Sequence, residues 1–132
     1  MARMMANISY SKFETFFKMG CMFNSASAFD QDLSSWGAHL TNVENMEGMF
    51  EGAESFNGKL DGWVLSSATN LMDMFKGAKA FNQDLSAWDT SRVTTMQGMF
   101  NSAAALDPCN VAQCCSAGLT GACTVPTAFQ TN

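Results

Sequence analysis

The chain has 132 residues, of which 47% are hydrophobic and only 14% charged, and it carries a formal net charge of −5 at pH 7. This length supports one domain with a modest core. The seven Lys and Arg residues are scattered, which argues against a nucleic-acid groove and against an anionic membrane surface, because both require clustered positive charge. No segment approaches the ~20 apolar residues of a transmembrane helix.

The N-terminal segment "MARMMANISYSKFETFF" has no continuous apolar stretch and no small-residue cleavage site, so it does not read as a signal peptide. This leaves open a cytosolic chain or a piece of a longer protein. We predict an N-terminal cap over residues 1–18. Its apolar residues are Ile8, Tyr10, Phe13, Phe16 and Phe17.

Large apolar residues recur along the middle of the chain at a fixed interval. Phe50, Phe75 and Phe100 are 25 residues apart. Phe23 and Trp36 occupy equivalent positions 27 residues before their counterparts, and the two extra residues fall in the loop after Trp36. Insertions confined to one loop are typical of stacked repeats. The sequence therefore predicts about four repeats of about 25 residues over 19–106.

The first half of each repeat has apolar residues at the spacing i, i+3, i+4 and i+7, for example Met46, Met49, Phe50 and Ala53. This spacing is typical of one face of a short helix. Gly52 falls where such a helix would end, and Gly48 would weaken it. We expect one short helix in each repeat.

The second half of each repeat contains a segment that suits a strand of four or five residues. The three segments are "QDLSSW" (31–36), "GKLDGW" (58–63) and "QDLSAW" (83–88). Because Leu33 and Trp36 are three apart, both cannot point inward from a flat strand, so the strand must be very short or bend. One strand and one helix per repeat predict an α/β solenoid with parallel strands and terminal caps. Its predicted core is Met46, Met49, Phe50, Phe56, Leu60, Trp63, Met74, Phe75, Phe81, Leu85, Trp88, Met96, Met99 and Phe100.

Four of the five cysteines crowd into the tail, which we predict to be a C-terminal cap over 107–132. They are Cys109, Cys114, Cys115 and Cys123. A small disulfide-bonded cap is favoured over a zinc site, because there is no C-x-x-C motif and the only histidine, His39, is distant. Three pairings are possible, and a bond between the adjacent Cys114 and Cys115 is disfavoured. Disulfides indicate an oxidising compartment.

Cys21 lies outside this cluster, at a repeat position that holds Gly48, Asp73 and Gly98 elsewhere. We expect its side chain to face outward or to be partly covered. It is a candidate free thiol, a candidate partner for one of the tail cysteines and a candidate intermolecular thiol.

The segments "SAFDQDLSSW", "NMEGMFEGAESFN" and "AFNQDLSAWDTSRVTTMQGMF" resemble the BspA-type leucine-rich-repeat surface proteins, whose repeat was also described as a mycoplasma domain of unknown function. The resemblance covers about residues 19–106. The second repeat departs from it at Gly58 and Lys59, which replace Gln-Asp. The resemblance implies a right-handed solenoid, a secreted or cell-surface location and a role in adhesion. It supplies no catalytic residues.

The sequence offers little for catalysis or for a metal. Pairs such as Met46 and Met49 could hold copper(I), but they fall on the predicted core face, where methionine packs well. Asp30, Asp32, Asp84 and Asp89 could bind Ca²⁺, but turns beside Asn57 and Asn82 explain them better. There is no catalytic His arrangement and no phosphate-binding loop. We therefore expect no enzyme activity, no metal and no cofactor.

The sequence favours a non-enzymatic protein-interaction or adhesion module, located outside the cell or on its surface. The candidate interaction face is the outward side of the predicted strands, at Ser34, Asp61 and Ser86, because a repeated face suits an extended partner. The alternative is a structural subunit of a larger assembly in an oxidising compartment such as an organelle lumen. Neither hypothesis names the protein partner.

Overall fold

The computed structural model describes residues 18–111, which stack as four similar layers, one for each repeat. The first three layers span 19–45, 46–70 and 71–95, and the fourth begins at residue 96. Two 3₁₀ helices are present within this range, Ser34–His39 and Pro108–Val111. Isolated parallel bridges join Lys18 to Asn45, Asn45 to Asn70 and Asn70 to Thr95. The predicted caps lie outside the described residues, apart from Lys18 and the stretch 107–111.

The predicted α/β architecture is wrong. Over residues 18–111 the chain forms no α-helix and no sheet, and most of it consists of turns and irregular segments. The strand-plus-helix solenoid of leucine-rich-repeat type is therefore not the fold. The repeats stack, but they do so through turns.

The predicted helices are absent because their N–H groups bond to the next repeat. Gly48 N–H donates to Met72 O at 2.9 Å, and Phe50 N–H donates to Met74 O at 2.8 Å, where a helix would require carbonyls four residues earlier. Gly48 and Gly52 also have φ of 60° and 70°, which reverses the chain direction. Successive tight turns place apolar residues on one face at nearly the same spacing as a helix, which explains the wrong prediction.

The predicted strands are replaced by turns that close over three residues. Trp36 N–H donates to Leu33 O at 3.0 Å, and equivalent bonds of 3.3 and 3.0 Å join Trp63 to Leu60 and Trp88 to Leu85. A turn of this length brings both residues to the same side. Leu33 and Trp36 are accordingly buried together, which a flat strand could not achieve.

The core consists of columns of equivalent residues that run through the stack, as the repeat interval predicts. The rings of Phe23, Phe50, Phe75 and Phe100 stack at centroid separations of 5.2, 5.4 and 5.8 Å. Trp63 stacks on Trp88 at 6.0 Å. Each such pair contributes roughly 0.5–1.5 kcal/mol beyond the apolar area it buries. Every residue of the predicted core is at most 5% exposed.

Thr90 is a polar residue in one of these apolar columns, where the two preceding repeats have Leu40 and Leu65. It is 2% exposed, and within the described chain its Oγ1 has no hydrogen-bond partner. A buried unsatisfied hydroxyl costs roughly 1–3 kcal/mol. We expect Thr90→Val, which is nearly isosteric, to raise the free energy of unfolding by about 1 kcal/mol, measured by urea denaturation.

Thr69→Val is the matched control for this change, because Thr69 Oγ1 donates to Glu44 O at 3.2 Å. That substitution removes a hydrogen bond and should leave stability unchanged or lower it. A loss of stability in the Thr90 variant would show that its hydroxyl is satisfied.

Candidate functional site

The three residues of the predicted interaction face do not lie on a strand. Ser34 begins the first 3₁₀ helix and is half-buried, Asp61 lies exposed in a turn, and Ser86 lies half-buried in a turn. The backbone N–H groups of the two serines donate to the side chains of Asp32 and Asp84, at 2.9 and 2.8 Å. The serines therefore take part in local turns, and the predicted strand face does not exist as such.

The aspartates considered for Ca²⁺ bind backbone N–H groups. Besides Asp32 and Asp84, Asp89 accepts from Ser91 N–H at 3.0 Å, and Asp30 accepts from Asn57 N–H of the next repeat at 2.9 Å. Within residues 18–111, no group of three or more His, Cys, Asp or Glu residues is placed to hold a metal ion. Three of these carboxylates stabilise local turns, and that of Asp30 connects adjacent repeats.

Hydrogen bonds from the following serine side chains and N–H groups lower the pKa of Asp32, Asp84 and Asp89 below the ordinary value of 3.8. At a pH between the folded and the unfolded pKa, the folded chain binds fewer protons than the unfolded chain. The hydrogen bonds to these ionised carboxylates therefore stabilise the fold fully above pH 3.8, and their contribution is lost as the pH falls through the folded pKa. We expect the free energy of unfolding to fall on acidification below about pH 4.

The triple variant Asp32→Asn, Asp84→Asn and Asp89→Asn should show a weaker loss. An Asn side chain can accept the same turn bonds but does not titrate. Urea denaturation from about pH 6 to about pH 2 measures both proteins. If the free energy of unfolding falls equally with pH in both proteins, these three aspartates are not the cause of the loss.

Two positions in each repeat adopt a left-handed backbone conformation, and they form two columns along the stack. The first column is Cys21, Gly48, Asp73 and Gly98, with φ of 58°, 60°, 54° and 67°. The second is Ser25, Gly52, Gly77 and Ser102, with φ of 59°, 70°, 71° and 61°. Glycine adopts this conformation without steric cost, whereas other residues are strained in it.

The second column forms the floor of an open groove of about 390 Å³ to which every repeat contributes. A β-carbon at Gly77 would lie 3.6 Å from the Gly52 Cα, and one at Gly52 would lie 3.5 Å from the Ser25 Cα. The floor is thus backbone with small side chains, and the groove exists because larger side chains are missing there. Its lining consists of Asn24, Ser25, Glu51, Gly52, Lys76, Gly77, Asn101 and Ser102.

The polar side chains that the first three repeats contribute to this groove form a connected network. Lys76 Nζ lies 3.0 Å from Glu51 Oε1 and 3.5 Å from Asp73 Oδ2. Asn24 Nδ2 donates to Glu51 Oε2 at 3.0 Å, and Ser25 Oγ donates to Asn24 Oδ1 at 2.8 Å. The hydrogen bond to Glu51, with the Asp73 charge, raises the pKa of Lys76 above its ordinary 10.5. Two carboxylates thus share the one ammonium group, so negative charge outweighs positive charge around Lys76.

Cys21 is exposed, and within the described part of the chain its thiol forms no disulfide. It occupies the first left-handed column, where its Sγ lies 3.8 Å from Glu47 O of the next repeat. The tail cysteines Cys114, Cys115 and Cys123 and the Cys109 side chain lie outside the described part of the chain. The disulfide prediction and the predicted intermolecular role of Cys21 stay predictions.

The groove was missed by the sequence interpretation, although a signal for it exists. The dipeptide Asn-Ser stands before Ala at both the first and the fourth repeat, at Asn24-Ser25 and Asn101-Ser102, and Glu51-Gly52 and Lys76-Gly77 lie between them. A column restricted to Gly and Ser indicates a backbone that needs positive φ or an open surface. Interpreting Gly52 as the end of a helix concealed this pattern.

Comparison with known proteins identifies a family. The chain matches the family described as "Mycoplasma protein of unknown function, DUF285", over residues 1–79 and 18–111. Searches of curated proteins and of solved structures found no match. Neither 3₁₀ helix in residues 18–111 has the length and apolar character needed to span a membrane. Because the match covers well over half of its residues, the chain belongs to this DUF285 repeat family.

Proposed function

We propose that this chain is a non-enzymatic interaction module of a secreted or cell-surface repeat protein, related to the BspA-type surface proteins, that adheres to a partner through the groove side of the stack. The observation that carries the proposal is the groove itself, since all four described repeats contribute two residues each to one continuous surface. A surface built from a repeated element suits an extended partner better than a small enclosed pocket does.

Rigidity of this surface also supports a binding role. The second column is held from below by hydrogen bonds between repeats, from Ser25 N–H to Glu51 O, Gly52 N–H to Lys76 O and Gly77 N–H to Asn101 O, at 2.7–2.8 Å. Two residues earlier in each repeat are the stacked phenylalanine rings of the core. A preorganised surface loses little conformational entropy when a partner binds.

Saturable binding of the full, fluorescently labelled chain to intact cells or to extracellular matrix of the native source tests this function. We expect displacement by excess unlabelled chain and no displacement by the same chain unfolded in advance. The structural-subunit hypothesis predicts another result, in which the native chain is recovered only within a stable complex of fixed stoichiometry. Absence of displaceable binding together with such a complex would overturn the adhesion proposal.

A further inference from the structure

We infer that the folded chain carries a site of spontaneous covalent modification at Asp61-Gly62, where an isoaspartyl bond forms, and that the stack protects the chemically more reactive Asn57-Gly58 from the same reaction. These are the two places in the sequence where Asp or Asn precedes Gly, and both lie in the second repeat. The inference follows from the opposite surroundings of the two dipeptides.

The reaction requires two groups that are free to approach each other. The backbone nitrogen of the glycine bonds to Cγ of the preceding side chain and closes a succinimide ring. The N–H proton leaves with the hydroxyl of an aspartic acid as water, or with the amino group of an asparagine as ammonia. Water then opens the ring at the main-chain carbonyl carbon, adding its hydroxyl there and its proton to the nitrogen, so the chain continues through Cγ as isoaspartate. Glycine permits the attack because it has no β-carbon to crowd the nitrogen.

Asn57 is held by the repeats on both sides of it. Its Oδ1 accepts hydrogen bonds from Asn82 N–H and from Gln83 Nε2, both at 2.9 Å. Its own N–H donates to Asp30 Oδ1 at 2.9 Å, and its carbonyl oxygen accepts a further bond from Gln83 Nε2. Moving Cγ of Asn57 onto the Gly58 nitrogen breaks the two bonds to Oδ1.

Gly58 is confined as well. A β-carbon there would overlap the carbonyl oxygen of Gln31 and lie 2.9 Å from Cε2 of Phe56, so the backbone of Gly58 is packed tightly against its neighbours. Ring closure turns the peptide between Asn57 and Gly58, and the stacked first repeat leaves no room for that turn. The reaction at this dipeptide therefore requires local opening of the stack.

The surroundings of Asp61-Gly62 are the reverse, since both residues are exposed. Within residues 18–111 the Asp61 carboxylate forms no hydrogen bond or ion pair, and the Gly62 N–H donates to no backbone carbonyl. A β-carbon at Gly62 would have nothing within 4 Å. The carbonyl oxygen of Gly62 packs against Gly37, but the two atoms that react, Cγ of Asp61 and the nitrogen of Gly62, are unrestrained.

The product alters a turn that belongs to the core. An isoaspartyl bond at position 61 adds one carbon atom to the backbone between Leu60 and Trp63, whose hydrogen bond of 3.3 Å closes the turn. Trp63 is buried, and its Nε1 donates to Leu33 O of the preceding repeat at 2.8 Å. Modification of the exposed dipeptide thus acts on a contact that joins the first two repeats.

Peptide mapping of the folded chain, after long incubation at neutral pH in water labelled with heavy oxygen, tests the inference. Each opening of a succinimide ring leaves one labelled oxygen atom in the product, whether aspartate or isoaspartate forms. We expect label and isoaspartate at Asp61 and an intact amide at Asn57. In guanidinium chloride we expect Asn57 to react first, because a carboxyl group closes the ring only in its protonated form, which is scarce at neutral pH.

Asp61→Asn supplies the matched comparison, since the variant carries the same dipeptide, Asn-Gly, at both places. We expect position 61 to lose its amide about tenfold or more faster than Asn57 in the folded variant, because Asn57 reacts only from the opened stack. In guanidinium chloride the two rates should be similar. Gly62→Ala, whose methyl group crowds the attacking nitrogen, should suppress the reaction at Asp61. Urea denaturation establishes that both variants fold as the parent chain does.

The inference is wrong if the folded parent chain gains neither label nor isoaspartate at Asp61 over a period in which the unfolded chain gains both. It is equally wrong if, in folded Asp61→Asn, Asn57 loses its amide as fast as position 61 does. The first result needs no substitution, so it decides the question even where a variant disturbs the fold.

Discussion

Replacing Phe75 by alanine should be among the most destabilising single truncations in the described core. The Phe75 ring is 0% exposed and lies at the centre of the core. It stacks on Phe50 at 5.4 Å, on Phe81 at 4.0 Å and on Phe100 at 5.8 Å. Truncation of a buried Phe to Ala costs about 3–5 kcal/mol, through lost transfer free energy and the cavity left behind.

Such a loss is large against the total stability of a small domain, which is about 5–15 kcal/mol. Urea denaturation followed by tryptophan fluorescence measures it, since Trp36, Trp63 and Trp88 are buried in the same core. Val64→Ala is the surface control, because Val64 is 45% exposed and should change stability little. A cost below about 1 kcal/mol for the Phe75 variant would mean that the columns do not hold the repeats together.

Gly58→Ala should be strongly destabilising, although it adds only a single methyl group. A β-carbon at Gly58 would overlap the carbonyl oxygen of Gln31 in the preceding repeat and lie 2.9 Å from Cε2 of Phe56. The overlap is with backbone, so no side-chain rotation can relieve it. We expect a loss of about 3 kcal/mol in the free energy of unfolding, at the upper end of the usual range for overpacking.

The control for Gly58→Ala is Gly62→Ala, because Gly62 lies in the same repeat but is exposed. Gly62 has φ of 75°, so alanine there pays about 1 kcal/mol of backbone strain, but nothing lies within 4 Å of its β-carbon. The difference between the two variants in urea denaturation isolates the overlap at Gly58. Equal losses would show that the first and second repeats can move apart at little cost.

The same contact explains why the second repeat departs from the common pattern. The third repeat has Gln83 where the second has Gly58. The first repeat is two residues longer, and in it Gly37 is packed so closely against the second that a β-carbon there would overlap the carbonyl of Gly62. The departure at Gly58 thus accompanies a close approach of backbone between the first two repeats. In the sequence the insertion and the glycine look like unrelated irregularities.

Sequence reasoning located the core well and the backbone path poorly. Burial of residues such as Phe50 and Trp63 follows from their recurrence at a fixed interval, because only equivalent positions can stack. The helices were inferred from spacing, and spacing of three and four is shared by α-helices and by successive tight turns. The strands were inferred from the length of the segments that contain Leu and Trp. Asp73 and Cys21 have positive φ in these turns, but because neither residue is glycine, the sequence carries no signal for the turns at those positions.

The sequence signals the small residues of the groove but not the contacts between its side chains, for a related reason. Its lining comes from four segments that are distant in the chain and become neighbours only when the repeats stack. The pairing of Glu51 with Lys76 depends on which side chains adjacent repeats bring together. The sequence shows both residues but not their contact.

The sequence by itself determined the repeat, its interval and the identity of the buried columns, because burial of apolar side chains depends on their kind and their position in the repeat. Only the tertiary structure decided how the backbone runs between those positions. Each N–H group can bond within its own repeat or to the next one, and that choice depends on carbonyl groups of a neighbouring layer, which exist at bonding distance only after the layers have stacked.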